Sequence, residues 1–299
     1  MNINLKNINA VLFISGQRGL IILEYLNQKN LNISKVIVGS EKDLDLLNET
    51  NKFNGEIIFE KNINNKNFLD QISDLDTDYF ILSGFRQILK KDILNIPKKG
   101  TINLHGGKLP EYRGGSPLNW QIINGEKYIY ITTILTDEGI DTGNILSENS
   151  FEIMENDDIA TVHEKANNLF PEMVLDSIKM IEGGNQGEKQ DEKKASYWHQ
   201  RNDDDGYINF KDYDAESVVR MTKALTYPYP CAWGVVDKEK VRIIKAKVSD
   251  MRLKAKPGEV CVLNDNDFFI ICSEGSVQLL KYKFEQDEKR KLNKNDKFD

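Results

Sequence analysis

From Ala10 to Leu104 the chain alternates short apolar or β-branched runs with stretches of helical spacing, and this alternation constrains the fold more than any other feature. Ala10 to Ile14, Val36 to Val38, Ile57 to Phe59, Tyr79 to Leu82 and Thr101 to Leu104 read as strands. Leu20 to Leu26, Leu44 to Phe53 and Phe68 to Leu75 lie between them with amphipathic spacing. Strand and helix in this order predict an α/β architecture, a mostly parallel sheet covered by helices.

Further on, Tyr128 to Leu135 and Ile145 to Ile153 are strand candidates, and Asp157 to Ile181 reads as a long helix. Asn156 is its expected cap, Asp157 and Asp158 suit its dipole, and Gly183 and Gly184 stop it. The polar run Glu188 to Lys194 reads as a linker. From Val235 onward short strands are punctuated by Lys256-Pro257-Gly258 and by Asn264-Asp265-Asn266-Asp267, which predicts a small closing β domain. The expected division is a domain over 1–187, a linker over 188–212 and a β domain over 213–299. Only the charged tail after Glu285 has a composition that suggests disorder.

Charge and composition exclude several roles. The chain's 40 Lys and Arg against 47 Asp and Glu give −7, so it has no general attraction for RNA or DNA. From Lys238 to Asp299 there are 15 basic and 11 acidic residues, a net of +4, interleaved with strand-like apolar residues as on a solvated face. No apolar run approaches the ~20 residues that cross a bilayer, and Met1 to Ala10 lacks an export pattern, so a cytoplasmic protein without a membrane partner is expected. Cys231, Cys261 and Cys272 lack metal-type spacing, and no metal is expected.

The chemistry concentrates between Asn103 and Asn144. That stretch holds Asn-Leu-His-Gly-Gly-Lys-Leu-Pro-Glu-Tyr-Arg-Gly-Gly-Ser-Pro and, later, Asp-Glu-Gly-Ile-Asp-Thr-Gly-Asn. Side chains alternate along a strand, so Asn103 and His105 share a face, and at the carboxyl end of a parallel strand that face opens on the ligand crevice. An amide beside an imidazole suits a reaction that builds negative charge on a carbonyl oxygen. Asp141, between Gly139 and Gly143, is placed to orient the imidazole and favour its protonation. His163, on the long helix, and His199, in the linker, read as structural, and Trp120 reads as helix packing.

These motifs resemble the folate-dependent formyltransferases: Asn-x-His, Leu-Pro-x-Tyr-Arg-Gly and Gly-Ile-Asp-Thr-Gly occur in that family's order. The resemblance extends more loosely over most of the chain. It implies a Rossmann-like catalytic domain followed by a small OB-like β domain, and transfer of a formyl group from 10-formyltetrahydrofolate to a primary amine. Asn103, His105 and Asp141 fall on the family's catalytic residues. The resemblance also implies a folate wall made by Phe85, Arg86, Ile88 and Leu89, faced by the loop of Thr136, Asp137, Gly139 and Ile140.

The acceptor is read from departures within the family. Methionyl-tRNA formyltransferases carry a basic insertion after the second strand, whereas Gly39 to Glu56 here holds two lysines and five acidic residues, a net of −3. Gly106-Gly107-Lys108 after the motif histidine is similar to the sugar-nucleotide N-formyltransferases. The implied partner is an amino-deoxysugar linked to a nucleotide such as dTDP, destined for surface polysaccharide such as lipopolysaccharide O-antigen, with methionyl-tRNA as the alternative. Gly16, Gln17 and Arg18 in the first βα turn are expected to face it, with a phosphate at the helix N-terminus. Tyr112, Arg113, Gly114 and Arg201 are the other expected contacts. A homodimer through the last β domain is expected by the same likeness.

Overall fold

The computed structural model describes residues 3–50, 53, 55–264 and 267–299. Five strands build its first sheet in parallel: β1 (Asn9–Ile14), β2 (Asn32–Val38), β3 (Glu56–Phe59), β4 (Tyr79–Ser83) and β5 (Thr101–His105). β6 (Arg113–Gly114) stands apart, while β7 (Tyr128–Leu135) and β8 (Asn144–Glu152) complete seven strands in the order β3-β2-β1-β4-β5-β7-β8. β7 runs antiparallel to β5. Strands in such a sheet are covered on both faces, which is why every residue of β4, and all of β1 after Asn9, is buried.

The connecting helices are α1 (Gly16–Gln28), α2 (Glu41–Thr50), α3 (Lys66–Ile72) and the short α4 (Lys91–Leu94). Val11 and Phe13 of β1, with Phe80 and Leu82 of β4, pack on one face against Phe68 and Ile72 of α3 and Ile93 of α4. α5 (Pro117–Ile123) and the long α6 (Ile159–Glu182) follow, and the cap of α6 is Asp158, whose carboxylate accepts the N–H groups of Ala160 and Thr161 at 2.9 and 3.2 Å. Asn156, the expected cap, lies outside the helix, which starts two residues later than its acidic run suggested.

The chain divides into two compact units. The first comprises Met1–Pro117, Tyr130–Phe151 and Glu164–Trp198; the second comprises Leu118–Ile129, Glu152–His163 and His199–Asp299. The polar run expected as a linker differs from that reading. Glu188 bridges to Ile145, and β9 (Tyr197–Trp198) pairs in parallel with Arg113 and Gly114, so residues 188–198 are built into the first unit.

The second unit holds α7 (Ala215–Leu225) and an antiparallel sheet of β10 (Ala232–Val236), β11 (Glu239–Val248), β12 (Val260–Leu263), β13 (Asp267–Ile271) and β14 (Ser276–Phe284), in the order β10-β11-β14-β13-β12. Residues 265 and 266 of the expected turn lie outside the described residues. The tail after Glu285 is ordered, contrary to its composition. Phe298 bridges to Val236 and Lys297 to Glu259, so the last residues span the two edge strands, and the Phe298 ring is fully buried against Phe210. One well-placed aromatic outweighs a polar composition that a local reading averages.

No helix among the described residues is long and apolar enough to cross a membrane.

Candidate functional site

β5 sets the site because it lies between β4 and β7, with Asn103 opposite Leu82 and Ile134, and His105 opposite Thr132. The two polar side chains emerge on one face at the strand's carboxyl end. Asp141 meets them there: its Oδ1 accepts from Asn103 Nδ2 at 3.4 Å, and its Oδ2 lies 3.5 Å from His105 Nδ1. The Gly114 N–H donates to the same Oδ2 at 2.9 Å. His105 and Asp141 are largely shielded, with side chains 6% and 14% exposed, so their mutual attraction is weakly screened by water.

The imidazole has a defined orientation. His105 Nε2 lies 2.6 Å from the Tyr112 carbonyl, which can only accept, so Nε2 carries a hydrogen and Nδ1 is the nitrogen that faces the carboxylate. Asp141 itself holds a left-handed backbone, φ +53°, a region most side chains avoid and aspartate tolerates. The arrangement brings together an amide donor, an imidazole and a carboxylate, groups that suit acyl transfer to an amine.

The loops expected to form the folate wall divide by exposure. Ile88 and Ile140 are 62% and 51% exposed, unusual for isoleucine, whereas Leu89 is buried in the core and Phe85 packs edge-on against Phe13 at 5.4 Å. Arg86, Asp137 and Gly139 are exposed. Lys91 and Glu138 form an ion pair at 2.7 Å that ties the two loops together. Ser83 Oγ and Thr136 Oγ1 are buried without a hydrogen-bond partner. Exposed apolar side chains beside unmatched hydroxyls fit a ligand that is a flat, polar-edged heterocycle.

The acceptor-side expectations fare differently. The phosphate position at the start of α1 is taken by the chain's own Asp43, whose Oδ1 accepts the Gly16 N–H at 2.7 Å and whose Oδ2 accepts the hydroxyls of Ser15 and Ser40 at 2.9 and 2.6 Å. The helix's positive end has its anion already. Gln17 is exposed, while Arg18 donates to Asn167 at 2.9 Å and lies over the Phe170 ring at 4.7 Å. Tyr112 is buried and stacked on Trp198, so its carbonyl rather than its phenol serves the site.

Arg113 is a correction of substance. It is fully buried, and all five of its N–H donors are committed: Nε and Nη2 to Gln190 Oε1 at 3.0 and 2.9 Å, Nη1 and Nη2 to the Glu192 carboxylate at 2.9 and 2.6 Å, and Nη1 to Tyr197 Oη at 2.7 Å. None remains for an acceptor. The guanidinium in turn holds the Glu192 carboxyl below its ordinary range.

Arg201 belongs to the second unit, with its guanidinium 5.6 Å above the Trp120 ring; burial lowers its basicity, opposed by Asp205 and Asp203. With Tyr229 and Cys231 it lines a cavity of about 150 Å³. His163 Nε2 meets Tyr229 Oη at 3.0 Å and His199 pairs with Asp205 at 2.8 Å, in line with structural roles. Trp120 donates to the His199 carbonyl at 3.1 Å.

The chain is similar to several known proteins. The chain is 35% identical over 214 residues to methionyl-tRNA formyltransferase of Thermodesulfovibrio yellowstonii, covering 72% of this chain and 68% of that protein. It is also 35% identical over 236 residues to the bifunctional polymyxin resistance protein ArnA of Wigglesworthia glossinidia brevipalpis, covering 76% of this chain but 34% of that one. Among solved structures, an N-formyltransferase from Helicobacter canadensis in complex with folinic acid and dTDP-3-aminofucose superimposes with a TM-score of 0.67 at 21% identity, over 91% of this chain and 98% of the other. HypX from Aquifex aeolicus in complex with tetrahydrofolic acid gives 0.65 at 19% identity over 93% of this chain, which spans 44% of that protein. The formyl transferase family matches residues 7–178, and the formyl transferase C-terminal domain matches residues 201–296. With Asn103, His105 and Asp141 gathered at the end of β5 and both family domains matched in order, the chain belongs to the folate-dependent formyltransferase family.

Proposed function

We propose that this protein transfers a formyl group from 10-formyltetrahydrofolate to the amine of a nucleotide-linked amino-deoxysugar, of the dTDP type, in the cytoplasm and for surface polysaccharide such as O-antigen. The observation that carries the acceptor is the passage from β2 to α2. Only Gly39 and Ser40 separate them, and α2 opens with Glu41 and Asp43, where methionyl-tRNA formyltransferases carry a basic insertion. From Gly39 to Glu56 two lysines stand against five acidic residues, without the clustered basic charge that neutralises a phosphate backbone.

Ile88, Ile140 and the unmatched Thr136 hydroxyl would hold the folate, assisted by Arg86 and backbone groups of Asp137 and Gly139. The bound folate supplies an activated formyl carbon. Asn103 Nδ2 donates to the formyl oxygen as negative charge grows there. His105 takes at Nδ1 the proton lost by the attacking amine, since Nε2 is engaged by Tyr112; the Asp141 carboxylate stabilises it until the bond from the formyl carbon to the folate nitrogen breaks and the proton passes to the departing tetrahydrofolate. Gly114 fixes the carboxylate by its N–H.

One observation favours methionyl-tRNA as acceptor. β11 and β14 pair Lys245 directly with Lys281, both exposed, with Lys247 also exposed nearby, a basic patch on a chain 35% identical over 214 residues to a methionyl-tRNA formyltransferase. A single assay separates the readings. The protein is incubated with 10-formyltetrahydrofolate and, in parallel, with dTDP-linked 3-amino and 4-amino sugars or with methionyl initiator tRNA. A sugar product heavier by one formyl group is expected; formylation of the tRNA alone overturns the proposal.

A further inference from the structure

We infer that Gln190 is a positioning residue for the Asp141 carboxylate, acting through the backbone of the loop that carries it. The inference rests on the reading that Asp141 serves formyl transfer. Gln190 Nε2 donates one hydrogen to the Asp141 carbonyl at 2.8 Å and the other to the Gly143 carbonyl at 2.7 Å. These two bonds clasp the loop on either side of Thr142 and hold Asp141 at its φ of +53°.

The carboxamide cannot turn over. Its Oε1 accepts from Nε and Nη2 of Arg113 at 3.0 and 2.9 Å, so a flip would set an NH2 group against a guanidinium and an oxygen against two carbonyls. Arg113 is itself immobilised: its side chain is fully buried and its remaining donors hold Glu192 and Tyr197. Charge on the exposed Glu192 balances the buried guanidinium. A rigid chain of contacts thus runs from Glu192 through Arg113 and Gln190 to the Asp141 backbone.

Two features make this more than loop packing. Gly114, adjacent to Arg113, donates its N–H to Asp141 Oδ2 at 2.9 Å, so Gly114 and Gln190 hold both ends of the same aspartate: side chain and main chain. Gly143 also has no room for a side chain, since a Cβ there would lie 2.0 Å from the Leu135 carbonyl oxygen. The loop therefore runs close against the Leu135 main chain at the point where Gln190 grasps it. The Gln190 side chain bonds to Arg113 and to the main-chain carbonyls of Asp141 and Gly143, so its effect on transfer is expected to pass through Asp141.

The test is a double-mutant cycle on the full chain with Gln190→Ala, Gln190→Glu and Asp141→Asn, measuring kcat, KM for the formyl donor and the thermal midpoint. Gln190→Glu keeps an oxygen acceptor for Arg113 but turns anionic oxygen toward two carbonyls, which separates loss of positioning from loss of fold. Both Gln190 variants are expected to lower kcat by about 10- to 100-fold, the scale of a misplacement near 1 Å, with KM for the donor changed less than about threefold. In Asp141→Asn, adding Gln190→Ala is expected to cost no more than about twofold further, because residues acting as a unit are not additive. Independent, multiplying effects, or a Gln190→Glu variant of parental kcat, overturn the inference while Asp141→Asn remains impaired. If Asp141→Asn alone keeps parental kcat, the reading of the site fails first, and Gln190 has nothing to position.

Discussion

Substituting Gly114 by alanine puts the geometry of the site to a quantitative test. Gly114 holds φ +96°, and an added Cβ would lie 2.2 Å from the Trp198 carbonyl oxygen, a backbone atom of the β6–β9 pair. Contacts shorter than 3.0 Å are essentially never tolerated, so the strands must part by at least 0.8 Å, the difference of the two distances. The Gly114 N–H is 2.9 Å from Asp141 Oδ2, and the same movement carries it out of hydrogen-bond range. A positive φ costs alanine roughly 1–2 kcal/mol. Losing a hydrogen bond to a charged group costs roughly 1.5–3 kcal/mol, so about 3–5 kcal/mol is expected in all. Gly184→Ala is the control, because Gly184 has φ +83° with nothing within 4 Å of its added Cβ, and it isolates the backbone term at about 1 kcal/mol. Urea unfolding reads the stabilities and a donor-consumption assay reads turnover, expected to fall about 100-fold in Gly114→Ala. Equal stability of the two variants within about 0.5 kcal/mol, or Gly114→Ala turnover within about threefold of the parent, would refute the claim that this glycine locks the carboxylate.

Other outcomes follow from the same coordinates. Asn103→Ala and His105→Ala are each expected to lower turnover by about 10²–10³-fold while shifting the thermal midpoint by only a few degrees; parental turnover in either variant removes that residue from the mechanism. Asp43→Ala leaves the first turn of α1 without its carboxylate partner and is expected to cost about 1–2 kcal/mol in urea unfolding, a value near zero showing that the carboxylate does not neutralise the helix end. In the second unit, hydrogen bonds from Arg242 and then Lys240 lower the Asp203 carboxyl from its ordinary 3.8 to about 2. Because the folded value is depressed, the stabilisation is complete above about pH 4 and is lost as pH falls through 2. The Asp203 side chain is 37% exposed, so the full linkage of roughly 2 kcal/mol is discounted to about 1 kcal/mol. Asp203→Asn is expected to remove that acid-dependent loss, and an unchanged acid limb between pH 4 and 2 contradicts the assignment.

The sheet and its covering helices were legible because burial on both faces leaves a periodic trace in the sequence, and β1, β2, β4 and β5 lie where the apolar runs place them. The pairing of Asn103 with His105 was legible for the same reason, since strand geometry alone puts them on one face. What the sequence concealed are side-chain bonds between distant segments. Asp43 reaches the start of α1 across 27 positions, and Gln190 reaches Asp141 across 49, with no periodicity to announce either. Arg113 was expected at the acceptor from the likeness of its motif; only the chain's return at 188–198 supplies the acidic and amide partners that occupy it. The Phe298 ring was hidden in a charged tail, where composition masks a single buried anchor.

The topology also explains why the reactive groups lie where they do. Strand order reverses at β1, between β2 and β4, which is where open α/β sheets usually admit a phosphate-bearing ligand. Here that crevice is closed at its mouth. The Ser15 N–H donates to the Ser83 carbonyl at 3.0 Å, a Cβ on Gly84 would come within 2.9 Å of the Ser15 carbonyl oxygen, and Asp43 occupies the helix end. A dinucleotide bound in the usual manner would have to displace a buried carboxylate and bring its own negative charge to the same amides. The polar side chains instead project from β5, one strand beyond β4, where the antiparallel β7 replaces a further parallel neighbour and the loops after Leu135 can turn back over the strand end. β7 ends at Leu135 beside Ile102, at the start of β5, and the segment 136–143 folds back along β5 so that Asp141 reaches Asn103 and His105 before the chain enters β8. The site thus lies one strand beyond the nucleotide crevice that the same sheet order provides in other proteins, and depends on the 136–143 segment folding back over β5.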